Sequence, residues 1–262
     1  MNKPLVIGLL CLVFVLLLSF KTKEYFEAPS SKAMVLVEPR KHKDFKRVID
    51  LFDERIPKDW DLYIFCGKSS VDFANEASKG LSRKVYVKPL ETDNLTADEY
   101  NRMFGTKEFW NQIQAEDILI FQTDAALCKN SRFTIDDFTK YDYIGCAVNS
   151  RVYSFDQPFW YEGNSPFYGI GGLSFRKKSF MNECITKYPE KALNMPEDAF
   201  FSMCVHDSGK KPPSGKVLSE FCTQYHFDEK SFGAHKTTQL QESDRPAFYE
   251  YCPEAKFLSE QT

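Results

Sequence analysis

The chain alternates short, unbroken apolar runs with longer stretches whose apolar residues return every three or four positions. Residues 33–37 are apolar throughout and break off at Glu38-Pro39-Arg40, the pattern of a strand covered on both faces. Phe45, Val48, Ile49, Phe52 and Ile56 then recur at helical spacing until Pro57. A second run over 61–66, closed by Gly67, predicts another strand and completes a βαβ unit. An alternating strand is expected at 84–88. Thr96-x-x-Glu99 predicts a capping box opening a helix over 97–104, and a further helical piece starts at Phe109-Trp110 and ends before Glu116. The run Ile118-Leu119-Ile120-Phe121 then stops abruptly at Gln122-Thr123-Asp124. In open α/β sheets, ligands gather at such strand ends. Further on, Thr134-x-x-Asp137 reads as a second cap, 141–145 as a strand and 178–187 as a helix. Pro196-Glu197-Asp198 reads as a helix opening, with its acids at the positive end of the dipole. The fold class that follows is α/β: one domain over 33–262, with a mixed, mostly parallel sheet and helices on both faces. Val35, Ile64, Ile118 and Ile144 are expected in neighbouring strands.

The amino terminus departs from this pattern. Residues 4–20 carry no charge and approach the ~20 residues that span a bilayer, and no small-residue cleavage site follows at Ser19-Phe20-Lys21. An uncleaved transmembrane helix is expected there, after a three-residue tail (1–3) and before a linker (21–32). The protein would then be a single-pass membrane protein with its domain facing the ER or Golgi lumen. Lys3 before the segment and Lys21 and Lys23 after it do not decide the orientation. Asn94-Leu95-Thr96 is a glycosylation sequon that has meaning only in such a lumen. Of the eight cysteines, Cys11 lies in the apolar segment. The rest include no Cys-x-x-Cys pair, which removes zinc-ribbon and thioredoxin-like motifs, and their odd number leaves at least one thiol without an intrachain partner. A net charge of −3 gives no electrostatic case for nucleic acid. Aromatic residues, 15% of the chain, suit a large core or a sugar-stacking surface, and the aromatic stretch 157–168 would either cover a site or pack on the core. The cluster Arg40, Lys41, Lys43, Lys46 and Arg47 either faces phosphates or is a solvated helix start.

The candidate chemistry is carried by a few positions. Asp124 is a strand-end turn residue or a carboxylate offered to a hard cation, which takes oxygen ligands. Glu197 and Asp198 are helix-opening acids, or one of them is a general base. Gly169-Ile170-Gly171-Gly172 is not a dinucleotide fingerprint, because Ser174 stands where the third glycine would. Gly171 and Gly172 would instead let a ligand approach the backbone. His235, flanked by Gly233-Ala234 and Lys236, has the most site-like setting of the four histidines.

Four blocks stand in order: residues 37–40, ending Glu38-Pro39-Arg40; 121–124, with Gln122-Thr123-Asp124; 196–201, with Glu197-Asp198; and 232–236, with His235-Lys236. With 95–101 and 141–145 they resemble the family catalogued as domain of unknown function number 5672, over roughly 33–236. That family is similar to glycosyltransferases of the A-type fold. The resemblance implies a single domain that moves a sugar from a nucleotide-diphosphate donor to a hydroxyl acceptor on a glycan, protein or lipid. It implies a divalent metal, Mn²⁺ or Mg²⁺, held by Asp124 and His235, with Gln122 where such enzymes carry a first acid. Asp198 or Glu197 would supply the catalytic base. Glu38, Arg40, Gln122, Asp124, Gly171, Gly172 and Lys236 would contact the nucleotide-sugar. Ile170 departs from the family's Gly-Asn-Gly-Gly form. The alternatives are a membrane-tethered protein that binds a sugar or nucleotide without transferring it, and a nucleotidyltransferase. The second would need a richer phosphate loop than Glu38-Pro39-Arg40.

Overall fold

The computed structural model describes residues 30–148, 159–161 and 165–260. The apolar runs become the middle of a six-stranded sheet. Its strands are β1 (Lys32–Val37), β2 (Asp61–Gly67), β3 (Val85–Leu90), β4 (Asp117–Phe121), β6 (Tyr143–Cys146) and β9 (Ile170–Lys177), in the order β3-β2-β1-β4-β9-β6. The β3-β2, β2-β1 and β1-β4 pairings are parallel, and the β4-β9 and β9-β6 pairings antiparallel. The expected neighbourhood of Val35, Ile64 and Ile118 is present. Ile144 departs from it: β9 lies between β4 and β6, so β6 is the outermost strand.

Both faces of the sheet are covered, which is why its central strands read as unbroken apolar runs. Met34 and Leu36 of β1 face helix α1 (Phe45–Arg55), whose Phe45, Val48, Ile49 and Phe52 form its buried stripe. Ala33, Val35 and Val37 point the other way. There they meet α3 (Ala97–Phe104), α4 (Lys107–Trp110), α5 (Lys178–Lys187) and α7 (Glu197–Asp207), with α2 (Val71–Ala77) on the α1 side and α6 (Pro189–Asn194) on the α7 side. The capping box at Thr96 and Glu99 is formed as the sequence predicts. So is the one at Thr134 and Asp137, which opens a single 3₁₀ turn (Ile135–Asp137) rather than a longer helix.

A smaller sheet carries the carboxy-terminal part of the site. Strand β5 (Ala125–Leu127) pairs antiparallel with β11 (Gly233–His235), which pairs in turn with β10 (Cys222–Thr223) at the end of α8 (Gly215–Phe221). Disulfides Cys146–Cys222 and Cys128–Cys252 tie this layer to the edge of the main sheet and to the end of α9 (Arg245–Tyr251). Cys66, Cys184 and Cys204 are buried thiols. A hairpin of β7 (Phe159–Tyr161) and β8 (Ser165–Phe167) falls in the aromatic stretch, much of which lies outside the described residues. The expected membrane segment 4–20 also lies outside them. Among the described residues no helix is long and apolar enough to cross a membrane.

Candidate functional site

The chain runs from β1 out through β2 to β3, then returns to place β4 on the other side of β1. Strand order therefore reverses between β1 and β4, and their carboxyl ends open a crevice, the usual ligand site of open α/β sheets. A cleft of about 240 Å³ lies there, lined by Val37 to Arg40, His42, Asn94, Leu95, Tyr100 and Gln122 to Asp124. Glu38 is buried at its floor and grips Arg40 at two points, Nε to Oε1 at 2.8 Å and Nη2 to Oε2 at 3.1 Å. Thr123 Oγ1 donates to Glu38 Oε2 at 3.3 Å, tying the two strand ends together. The Arg40 guanidinium stays largely exposed at the rim. Elsewhere in the basic cluster, Lys46 pairs with Asp50, and Arg47 lies over the Phe257 ring.

Asp124 ends the turn after β4, and the register Ala125↔His235 sets it beside the end of β11. The backbone N–H of Lys236 donates to Asp124 O at 2.8 Å, which locks this arrangement. His235 Nε2 then lies 3.1 Å from Asp124 Oδ1 and 3.3 Å from Gln122 Oε1. Its Nδ1 is 2.9 Å from Oε1 of the buried Gln224, whose own Nε2 donates to Gln239 at 2.7 Å. Gln224 thus anchors Nδ1 and leaves Nε2 as the ring nitrogen that faces Asp124 and Gln122. Burial pushes the Asp124 carboxyl up, but the His235 ring and Lys236 outweigh it and hold the group below the usual carboxylate value.

Asp124 Oδ1, Gln122 Oε1 and His235 Nε2 thus converge on one point at the edge of the first cleft. A cation fits such a set: donors about 3 Å apart suit adjacent positions around an ion bound at roughly 2.0–2.2 Å. Among the described residues, no group of three His, Cys, Asp or Glu side chains is arranged to hold a metal. A third protein donor would be the Gln122 amide.

On the far side of His235 a second cleft, about 400 Å³, is lined by Val148, Phe167, Ile170, Pro196, Asp198, Gln224, Tyr225, His235, Lys236 and Gln239. Ile170, at the position that departs from the family's pattern, makes part of its wall apolar. Asp198 stands in the first turn of α7 and accepts the Ala199 N–H at 2.8 Å. Burial, and next the neighbouring Glu197 charge, push its carboxyl up to about 6. Lys236 is the only non-glycine residue with positive φ among the described residues, at φ 47°. That left-handed strain falls directly after His235, and such outliers cluster at functional sites.

The structure brings Gln122, Asp124, Asp198, His235 and Lys236 around two adjoining clefts, with Glu38 and Arg40 in the first. It places three expected residues differently. Glu197 lines neither cleft; it is buried, and its Oε2 meets Arg176 Nη1 at 2.6 Å, because a carboxylate in this apolar layer needs a charged partner. A Cβ on Gly171 would collide with the Glu197 carboxylate, and one on Gly172 with the His235 ring and the Gln122 amide. These glycines admit the protein's own side chains to the backbone rather than a ligand. Tyr100, Arg176 and Gln224 were not singled out by sequence reasoning. None of the three carried a signal: Arg176 opens the basic run Arg176-Lys177-Lys178 and looks there like a solvated strand end.

The fold is thus an open α/β sheet with two clefts meeting at an Asp–His pair on its carboxyl edge. The chain belongs to the family described as "Protein of unknown function (DUF5672)", which matches residues 84–235, more than half of its length. The match takes in Gln122, Asp124, the Glu197-Asp198 pair and His235; the block at 37–40 lies before it. No curated protein matches. Among solved structures, S. aureus TarS 1-349 in complex with UDP-GlcNAc is 14% identical, with 78% of this chain and 58% of that chain covered and a TM-score of 0.48. The UDP complex of the same TarS fragment is 14% identical, with 66% and 54% covered and a TM-score of 0.42. The 4-diphosphocytidyl-2C-methyl-D-erythritolsynthase from Anaerococcus prevotii DSM 20548 is 10% identical, with 70% and 87% covered and a TM-score of 0.44. At these scores the likenesses are distant, and the chain's own geometry bears on function.

Proposed function

We propose that the protein is a glycosyltransferase of the A-type fold that moves a sugar from a nucleotide-diphosphate donor to a hydroxyl acceptor. The observation that carries this reading is the pair of clefts meeting at Asp124 and His235, with the Asp198 carboxyl, pushed up to about 6 by burial and Glu197, on the second. The donor's nucleotide lies in the first cleft, with its diphosphate toward Asp124, Arg40 and Lys236. The acceptor enters the second. Its hydroxyl oxygen attacks the anomeric carbon and its proton passes to Asp198, while the bond to the diphosphate breaks and the electron pair leaves on phosphate oxygen. A divalent ion held by Asp124 and His235, Mn²⁺ or Mg²⁺, would neutralise the leaving charge. Arg40, steadied by Glu38, presents its remaining N–H groups to the phosphates. Glu197 acts by holding the start of α7 in place.

The same reading puts residues 4–20 across a membrane and the domain in the ER or Golgi lumen. Two disulfides suit an oxidising compartment. A second reading, a tethered binding protein without turnover, draws support from Gln122, an amide where a second metal-binding acid would strengthen the cation site. The deciding experiment incubates the purified full chain with a panel of nucleotide-sugars and Mn²⁺ and measures nucleoside diphosphate release and sugar transfer. Release with one donor supports the transferase; saturable binding with no release from any donor supports the binding protein.

A further inference from the structure

The Arg176 side chain is wholly buried, yet nothing in the transfer reaction uses it. Its guanidinium carbon sits 5.0 Å from the Phe104 ring centre, 5.2 Å from Tyr143, 5.5 Å from Phe201 and 5.8 Å from Trp110. Such a cage favours a cation but holds it only where its remaining charge is met. Glu197 meets it at 2.6 Å. Nε donates to Ser174 Oγ at 2.9 Å, and Ser174 Oγ donates to Gly171 O at 2.8 Å. The Gly171 N–H favours the ionised Asp198 carboxyl, and the Glu197 N–H donates to Asn101 Oδ1 at 3.2 Å. One connected set of contacts therefore runs from the aromatic cage, through β9, to the first turn of α7.

We propose that the Arg176–Glu197 pair is the positioning element of the site, fixing where the Asp198 carboxylate stands on the second cleft and the balance of charge behind it. This rests on the reading of Asp198 as the base. Glu197 and Arg176 are positioning residues, since neither reaches a cleft. Their charges act on Asp198 in opposite senses: Glu197 disfavours its ionised form and Arg176 favours it. The other polar groups that face Asp198 are the Tyr143 hydroxyl on β6 and, around the second cleft, Gln224, Tyr225, His235, Lys236 and Gln239, while Tyr100 on α3 shares the field of the Arg176–Glu197 pair. The single substitutions Glu197→Gln and Arg176→Gln leave those groups in place.

The test is ¹³C NMR titration of the Asp198 carboxyl in the full chain, with Asp198→Asn to assign the signal, alongside the pH profile of kcat/KM. Glu197→Gln moves the titration midpoint down by about one pH unit or more, and Arg176→Gln moves it up. The acid limb of the rate profile follows in each case. A merely structural pair would lower activity in both variants with no opposed shifts. Midpoints that stay at the wild-type value, or move in the same direction, overturn the proposal. If either single variant fails to fold, the double variant Arg176→Gln/Glu197→Gln removes both charges. Because the Glu197 effect is the larger, its midpoint falls below wild type, and an unchanged midpoint overturns the proposal. NMR reads the carboxyl whether or not sugar is transferred. A protein without transferase activity but with opposed shifts therefore sinks the transferase reading alone.

Discussion

Asp198→Asn should make the protein more stable while slowing transfer. The native carboxyl is pushed up to about 6 from 3.8 by burial and by Glu197, a rise of roughly two units. At about 1.36 kcal/mol per unit, ionising Asp198 in the native state costs about 3 kcal/mol relative to the unfolded chain. Because the native value is the higher one, the folded form holds its proton through the window between about 4 and about 6. The wild type therefore loses this stability as pH rises through that window, and the loss is complete above it. Asparagine does not titrate, and its carbonyl can still accept the Ala199 N–H that Asp198 Oδ1 accepts. The advantage of the variant should be near zero at pH 4 and grow to at most about 3 kcal/mol above pH 7, or roughly 5–10 °C in Tm. Thermal denaturation of both proteins at pH 4 and pH 7.5, followed by circular dichroism under non-reducing conditions, measures it. A variant equally or less stable than wild type at pH 7.5 would refute the claim that the native site holds Asp198 against its ionisation.

Other outcomes follow from particular contacts. Gly172→Ala forces a Cβ into the His235 ring and the Gln122 amide and should weaken Mn²⁺-dependent donor binding at least tenfold, read by calorimetry. Lys236→Gly should relieve the left-handed backbone, raising stability by about 1 kcal/mol, while loss of the amine lowers donor affinity; urea denaturation and donor titration separate the two effects. Replacing Cys146 and Cys222 by Ser opens a loop of 76 residues and should cost about 4 kcal/mol, read as a fall in Tm. In alkaline carbonate extraction the full chain should stay with the membrane pellet and residues 30–262 should not; full release of the intact chain contradicts the anchor.

What the sequence made legible follows from what each pattern measures. The runs at 33–37 and 118–121 are apolar at every position because helices cover both sheet faces, so local sequence reported a non-local fact. Caps at Thr96 and Thr134 were readable because their partners lie three residues away. Strand order was not: nothing near Ile144 records that β9 comes back antiparallel and takes the place beside β4. Asp124 and His235 meet through pairing of β5 with β11, more than a hundred residues apart, and only resemblance to a family put them together beforehand. Glu197 and Asp198 look equivalent as helix-opening acids. Their difference arises from Arg176, which buries one and leaves the other at the cleft. The two glycines were read as room for a ligand, but a glycine does not record what comes close to it, and here it is Glu197, His235 and Gln122.

The central claim is that donor and acceptor occupy separate clefts on either side of His235, with Asp124 serving the first and Asp198 the second. Calorimetric donor binding and transfer rate, measured together on wild type, Asp198→Asn and Asp124→Asn with and without Mn²⁺, test it most directly. Asp198→Asn should bind the donor as wild type does and transfer it about 10²–10⁴-fold more slowly. Asp124→Asn should lose metal-dependent binding and transfer together. Full transfer by Asp198→Asn, or undiminished metal-dependent binding by Asp124→Asn, would contradict the account.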